Sequence, residues 1–149
     1  MLPKSSPRVA EVIKIANEIA REYEREYVGT EHVLLAILRE GTGVGAAVLT
    51  KRGITEGKLR TEIDKLIKKQ MEETWVFGRL PGTPHFKNVV ATAIQQCQEL
   101  GAKEVCTEHL LLALLIEKGS VAHKAMKNLG LTSSQVRSDV LESTSGQSG

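Results

Sequence analysis

The tripeptide Thr-Glu-His occurs twice in the chain, at positions 30–32 and 107–109, and each copy stands directly before an apolar run. These three side chains suggest three kinds of chemistry. A His beside a carboxylate can move a proton or bind a metal ion, a Glu can bind a cationic ligand, and a Thr can begin a helix. The residues around each copy are needed to choose among these hypotheses.

Metal binding and catalysis are poorly supported by the spacing. Neither His32 nor His109 has a second ligand three or four residues on, as H-E-x-x-H would supply, and His85 and His123 match no His in the other copy. Adjacent Glu and His side chains on a helix point about 100° apart, which suits a proton relay badly. We expect no metal, no cofactor and no catalytic residue. A small metal-dependent or thiol enzyme remains the hypothesis with least support.

A helix start explains much of the tripeptide. Thr30 and Thr107 are predicted N-caps, and Glu31 and Glu108 then fall in the first turn, where an acid faces the positive end of the helix dipole. The two histidines are left without a role, and we expect them to be half-buried and hydrogen-bonded to a neighbouring turn.

The tripeptide is repeated because the whole chain is a repeat. When the sequence is shifted by 77 residues, 7–64 aligns with 84–141 without a gap, and 17 of the 58 aligned positions are identical. Identity at this fixed spacing indicates an internal duplication.

Each copy reads as four helices. The first carries apolar residues at helical spacing, the second is an almost continuous apolar run that predicts a central buried helix, and the short third helix ends at Gly53 or Gly130. The other predicted helix-start residues are Ser6, Thr55, Thr83 and Thr132. No segment alternates with period two. The predicted fold is therefore all-α, with two pseudosymmetric four-helix repeats packed into one compact domain.

The predicted domain covers residues 1–142. Repeat one is placed at about 5–70, a linker at about 71–82 and repeat two at about 83–142, followed by a small, polar, flexible tail at 143–149. The linker holds the only Trp, which either packs across the two halves or forms a partner-binding loop; both interpretations stay open.

Composition excludes several classes of function. A formal net charge of +2 and an aromatic content of 3% argue against nucleic-acid binding, and the lack of an 18-residue apolar span argues against a membrane protein. Cys97 and Cys106 form no CxxC pair, and Cys97 lies on a predicted apolar face as a small hydrophobe. A reducing, cytoplasmic compartment is the expectation.

Two segments carry a resemblance to a known family. "YVGTEHVLLAILREGTGVGAAVL" at 27–49 and "CTEHLLLALL" at 106–115 closely resemble the double Clp-N repeat, the amino-terminal domain of ClpC- and ClpA-type Hsp100 ATPases. The resemblance covers about residues 5–142. It implies a domain that sits on an ATPase ring and receives protein substrates and adaptor proteins. No G-x-x-x-x-G-K-[ST] phosphate loop is present, so ATP hydrolysis by that route is not expected.

The resemblance also implies candidate site residues. Some ClpC domains read phosphoarginine with one site per repeat, which places the guanidinium at Glu31 or Glu108, beside Thr30 or Thr107. A carboxylate suits the guanidinium fork, and a helix N-terminus suits the phosphate. The helix starts close by are Ser6 and Thr83, with Arg8 as a further phosphate contact. His85 replaces a family arginine in the second copy, so the first site is expected to be the more functional one.

Two hypotheses for the partner remain. The chain is either a substrate- and adaptor-recognition domain of the Clp unfoldase–protease system, or a standalone accessory subunit that docks on a Clp ATPase ring or protease core and regulates or assembles it. A plastid stromal location becomes possible if the source is a plant.

Overall fold

The computed structural model describes residues 4–24, 28–75 and 83–144, and side chains are described for 5–24, 28–67 and 88–142. Helices dominate this part of the chain, four in each copy. They are α1 Pro7–Glu22, α2 Thr30–Glu40, α3 Val44–Lys51, α4 Glu56–Trp75, α5 Thr83–Glu99, α6 Thr107–Ile116, α7 Val121–Asn128 and α8 Ser133–Thr144. The predicted all-α fold of two four-helix repeats is confirmed.

The second helix of each copy is central. In α2 all residues from Thr30 to Ile37 are buried, and in α6 all residues from Thr107 to Leu115 are buried. A helix that is apolar on all sides is stable only when it is surrounded, and here α1 packs on α2, α5 packs on α6, and α2 contacts α6. The central position follows from the continuous apolar runs, as predicted.

Several predicted helix boundaries are confirmed by their capping contacts. The Ser6 hydroxyl accepts the N–H of Val9 at the start of α1. At the start of α4 the Thr55 hydroxyl accepts the N–H of Lys58, and at the start of α8 the Thr132 hydroxyl accepts the N–H of Gln135. Gly53 and Gly130 follow the third helices with φ of +77° and +90°, a conformation that a side chain would strain.

The two repeats interlock through their third and fourth helices. The Asn128 amide at the end of α7 donates to Glu62 in α4 at 2.8 Å, and Lys51 at the end of α3 lies 3.7 Å from Asp139 in α8. These two pairs are related by the 77-residue shift. Arg52 adds a bidentate contact with Asp139, at 2.7 and 3.1 Å.

A short parallel strand pair was not predicted. Strand β1 (Lys4–Ser5) pairs with strand β2 (Glu104–Val105), with Lys4 opposite Glu104, and the Ser6 N–H donates to Val105 O at 2.8 Å. Two residues are too few to show an alternating pattern. The pair nevertheless matters, because it ties the start of α1 in the first copy to the start of α6 in the second.

Other predictions fall outside the described residues. Residues 76–82 of the predicted linker, the tail at 145–149 and the side chains of Trp75 and Thr83 are among them, so the linker and tail boundaries stay predictions. Of the described helices, no single one is long and apolar enough to cross a membrane, although the bent pair α2 and α3 reaches that length and composition together.

Candidate functional site

The helix-start prediction for the tripeptide needs one correction. Helices α2 and α6 begin at Thr30 and Thr107 themselves, and the N-caps are the preceding residues, Gly29 and Cys106. Both N-caps have extended backbones, with φ/ψ of −100°/172° and −114°/176°. The threonines are therefore already inside the first turn, and the prediction that each one caps its own helix was wrong.

Each threonine instead caps a helix of the other repeat. The Thr107 hydroxyl accepts the N–H of Gly45 in the first turn of α3 at 3.1 Å, and the Thr30 hydroxyl accepts the N–H of Ala122 in the first turn of α7 at 3.3 Å. First-turn N–H groups have no partner within their own helix, so these contacts satisfy buried donors. The exchange couples the two repeats at their centre.

The histidines complete the helix starts. His32 Nδ1 accepts the Gly29 N–H at 2.9 Å, and His109 Nδ1 accepts the Cys106 N–H at 2.8 Å. This is the role that Glu or Gln plays at the third position of a capping box, filled here by imidazole. Burial lowers the pKa of His109, which favours the neutral ring that this bond needs. Both rings are almost fully buried, not half-buried as expected, and they bond to their own turn.

The two glutamates differ although their positions are equivalent. Both are buried, with relative exposures of 5% for Glu31 and 2% for Glu108. The Glu31 carboxylate folds back against Gly29, close to where a side chain at that position would begin, and Glu31 takes part in an interaction within the fold. In the second copy, Glu108 accepts its own backbone N–H, while its Oε1 atom has no hydrogen-bond partner among the described residues.

The buried Glu108 carboxylate lies in an unusual electrostatic setting. Burial raises the pKa of Glu108, and its own N–H and the positive charge of Arg8 partly offset that rise. A buried polar atom without a partner is uncommon in native proteins and calls for an explanation, such as a ligand that supplies the missing donor.

Residues of the first copy lie close to the start of α6, and the charge of Arg8 acts on Glu108. The β1–β2 pair brings Ser6 to this point, and the Arg8 Nε donates to Thr42 Oγ1 at 2.9 Å beside the start of α3. A side chain at Gly43 would come within 3.0 Å of Arg8 Cδ, which shows how closely α3 approaches. We call the group formed by Ser6, Arg8, Gly43, Thr107 and Glu108 the inter-repeat site.

The inter-repeat site combines residues that the sequence assigned to different copies. Ser6 and Arg8 of the first copy lie with Thr107 and Glu108 of the second, and the starts of α1, α3 and α6 converge there. Converging helix N-termini and a guanidinium favour an anion, and the carboxylate favours a cation. The site can thus receive one group of each charge. The equivalent arrangement around Glu31 would use Thr83 and His85, whose side chains are outside the described part.

The cysteines do not offer a nucleophile. Cys97 and Cys106 are both buried and unbridged, and burial, followed by the charges of Glu104 and Glu108, raises the thiol pKa of each, to about 11 for Cys106. A thiol with a raised pKa is protonated at neutral pH and reacts slowly. The prediction that Cys97 acts as a small buried hydrophobe agrees with its full burial.

Other candidate sites are weaker. A groove of about 380 Å³ lies between the repeats at the far end of α3, and it is lined by Lys51, Arg52, Leu129, Gly130, Leu131 and Gln135. Its cations are already paired with Asp139 and Glu142. Among the residues with a described position, no three His, Cys, Asp or Glu side chains are grouped to hold a metal ion.

The structure defines the chain as a duplicated helical domain, and comparison with known proteins identifies its family. The family model "Clp repeat (R) N-terminal domain" matches residues 4–129 and again 82–148. The chloroplastic "ATP-dependent Clp protease ATP-binding subunit ClpA homolog" of Brassica napus is 36% identical over 141 residues, covering 95% of this chain and 16% of that protein. "Chaperone protein ClpC1, chloroplastic" of Arabidopsis thaliana is also 36% identical, covering 95% and 15%.

Solved structures show the same fold. The N-terminal domain of the chaperone ClpD from Arabidopsis thaliana superimposes with a TM-score of 0.72 at 18% identity, covering 94% of this chain and 96% of that one. The Hsp104 N-terminal domain from Candida albicans gives 0.67 at 15% identity, covering 97% and 93%. The chain belongs to the Clp repeat N-terminal domain family, and it spans about one sixth of the length of these curated relatives.

Proposed function

We propose that this chain is a recognition domain of a Clp unfoldase–protease system, and that it binds phosphoarginine on marked proteins at the inter-repeat site. The observation that carries the proposal is the buried Glu108 carboxylate beside Arg8, whose Oε1 atom lacks a hydrogen-bond partner in the part of the chain that the structure describes. An unsatisfied buried acceptor is costly for the fold, and a ligand donor would remove that cost.

The chemistry of the ligand matches the two charges of the site. The guanidinium fork of phosphoarginine would donate to Glu108, and bonds of this kind between ionised groups are stronger than neutral ones. The phosphate would lie against Arg8 and the first turn of α1, where the helix dipole favours negative charge. Free arginine would supply the cation alone and inorganic phosphate the anion alone, so neither should bind as well as the combined ligand.

The wider setting is also part of the proposal. The relatives are named as ATP-binding subunits of Clp protease and as chaperones, and several are chloroplastic. We therefore place this domain with a Clp ATPase ring or protease core, receiving substrates and adaptor proteins, in the plastid stroma rather than in the cytoplasm.

The test is a titration of phosphoarginine into the labelled protein, followed through backbone amide shifts. Saturable shifts are expected at the starts of α1 and α6, and arginine and phosphate serve as separate ligand controls.

Loss of a charged hydrogen bond should make Glu108→Gln bind phosphoarginine at least about tenfold more weakly than the wild type. Glu11→Gln, an exposed acid on α1, is the matched control and should bind like the wild type. Equal binding by Glu108→Gln and Glu11→Gln would remove the site assignment.

One observation favours a second candidate, docking on the Clp protease. Ile116 and Leu141 are 42% and 50% exposed in the second copy, where the first copy has Arg39 and Asp64. Contiguous exposed apolar patches mark protein-binding surfaces, and docking requires that Ile116 and Leu141 belong to such a patch. Co-purification with the protease core that is lost in Ile116→Arg and Leu141→Asp, but kept in Glu108→Gln, would support docking over ligand recognition.

A further inference from the structure

The residue before Thr-Glu-His differs between the copies, and the difference is a single side chain. Gly29 and Cys106 are the N-caps of α2 and α6, and their backbone angles agree within about 15°. Neither residue has a positive φ, so Gly29 is not required by the backbone. What distinguishes the two positions is the space that a Cβ atom takes.

In the first copy, the Glu31 carboxylate uses the space that glycine leaves open. A Cβ built on Gly29 would lie 2.9 Å from Glu31 Cδ and 3.2 Å from Oε2, and closer still to Oε1. The contacts with Cδ and Oε1 are too short for a real Cβ atom, and the contact with Oε2 is tight. The position that Glu31 adopts is therefore compatible only with a glycine before the tripeptide.

In the second copy, this position is closed to the carboxylate. Cys106 carries a Cβ, and its thiol lies 3.6 Å from Glu104 O. Glu108 must therefore hold its carboxylate elsewhere, and there one oxygen accepts its own backbone N–H, while Oε1 has no partner among the residues that the structure describes. The position of the Glu108 carboxylate, with Oε1 unpaired among the described residues, therefore follows from the presence of a side chain at Cys106.

We propose that the N-cap residue selects which Thr-Glu-His copy binds the cationic half of the ligand: a side chain at position 106 keeps Glu108 available, and glycine at position 29 lets Glu31 fold onto its own helix start. The inference rests on the proposed function, because it concerns the same ligand. It reverses the expectation that the first tripeptide is the more functional one.

Arg8 offers a competing explanation for the same preference. It lies beside Glu108, whereas the residue aligned with it in the second copy is His85. If the cation at Arg8 alone decided the preference, changes at positions 29 and 106 would leave that preference intact. Variants at these two positions keep Arg8 and both glutamates, so they separate the two explanations.

The experiment compares phosphoarginine binding at the two helix starts in four variants. Wild type should bind at α6 at least about tenfold more tightly than at α2, as expected for one additional charged hydrogen bond. Cys106→Gly should lose most of this advantage, whereas Cys106→Ala, which keeps the Cβ and removes only the thiol, should retain it. Gly29→Ala and Gly29→Cys should strengthen binding at α2. The flexible end of Glu31 can move away from a new Cβ, so Gly29→Ala is expected to fold.

The outcomes separate the two proposals. Binding at α6 that is the same in Cys106→Gly and Cys106→Ala, or binding at α2 that Gly29→Ala leaves unchanged, would overturn the selector role and leave phosphoarginine recognition standing. Saturable binding at neither helix start in any variant would overturn both.

Discussion

The Thr107 hydroxyl of the second repeat accepts the backbone N–H of Gly45 in the first repeat, across 62 residues of sequence. The same bond occurs in reverse between Thr30 and Ala122. Each repeat thus completes the start of the other repeat's third helix. The exchange is symmetric because both copies have the same spacing: positions 30 and 45 map onto 107 and 122 under the 77-residue shift.

Thr107→Val should destabilise the start of α3 in the first repeat, although the substitution lies in the second repeat. Removing the hydroxyl leaves the Gly45 N–H buried without an acceptor, at a cost of about 1 kcal/mol for a lost cap. A local cost of this size corresponds to roughly fivefold faster opening. Hydrogen exchange should show that acceleration at the Gly45 amide.

The control for this prediction is Thr107→Ser, which keeps the hydroxyl oxygen and should protect Gly45 nearly as well as the wild type. Faster exchange in the first turn of α6, with Gly45 unchanged, would mean that Thr107 caps its own helix after all.

The elements of the fold were predictable from local patterns. The apolar runs identify α2 and α6 as central helices, and Thr55 and Thr132 cap the fourth helices as expected. These predictions succeed because helix periodicity and N-capping depend on residues only a few positions apart.

The site was less predictable because its contacts are not local. The residues around Thr107 show no pattern that indicates its bond to α3. The residues around Ser6 likewise show no pattern that indicates the two-residue strand pair with the second copy. The histidines are a different case. The three-residue spacing from Gly29 to His32 is that of a capping box, so attention to imidazole as an acceptor could have identified their role.

Glu108→Gln should stabilise the protein near neutral pH while weakening ligand binding. The pKa of Glu108 is raised above its ordinary 4.5, so the ionised form is disfavoured in the folded state. The stability that its protonation provides is present below pH 4.5 and is lost as the pH rises through the raised pKa. Removing the buried charge should regain about 1 kcal/mol at neutral pH. The melting temperature should rise by a few degrees, as expected for a chain of this length.

Glu11→Gln is again the control, since an exposed acid should change stability little. A Glu108→Gln variant that melts below the wild type at neutral pH would show that the carboxylate stabilises the fold and is not held there for a ligand.

His109→Gln should remove part of the pH dependence of stability. The pKa of His109 is lowered below its ordinary 6.5 by burial, so its contribution is fully present above pH 6.5 and is lost as the pH falls through the lowered pKa. Gln at the same position can accept the Cys106 N–H and does not titrate. Urea denaturation across this window should therefore give a flatter profile for His109→Gln than for the wild type.

His109→Ala provides the comparison for this measurement, because it lacks an acceptor and should lose stability at every pH. Parallel profiles for the wild type and His109→Gln would mean that the His109 ring does not contribute to the acid sensitivity of the fold.

Glu22 should contribute a salt-sensitive part of the stability of the first repeat. Arg39 and Arg60 each lie 2.8 Å from its carboxylate and lower its pKa to about 2. This contribution is present above the ordinary value of 4.5 and is lost as the pH falls from there towards about 2. The Glu22 side chain is 45% exposed, so solvent screening limits the cost of Glu22→Gln to at most about 1 kcal/mol at low salt.

The salt dependence of this cost shows whether Glu22 stabilises the fold through its ion pairs with Arg39 and Arg60 or through packing. In about 1 M salt the screening length falls to roughly 3 Å, so most of the cost of Glu22→Gln should disappear in urea denaturation. Glu99→Gln is the matched control, because Glu99 is the counterpart of Glu22 in the second copy, and the positions of Arg39 and Tyr23 are there taken by Ile116 and Leu100. It should cost little at either salt concentration. A cost for Glu22→Gln that persists in high salt would show that the side chain contributes by packing, and an equal cost for Glu99→Gln would show that the two repeats are stabilised in the same way at this position.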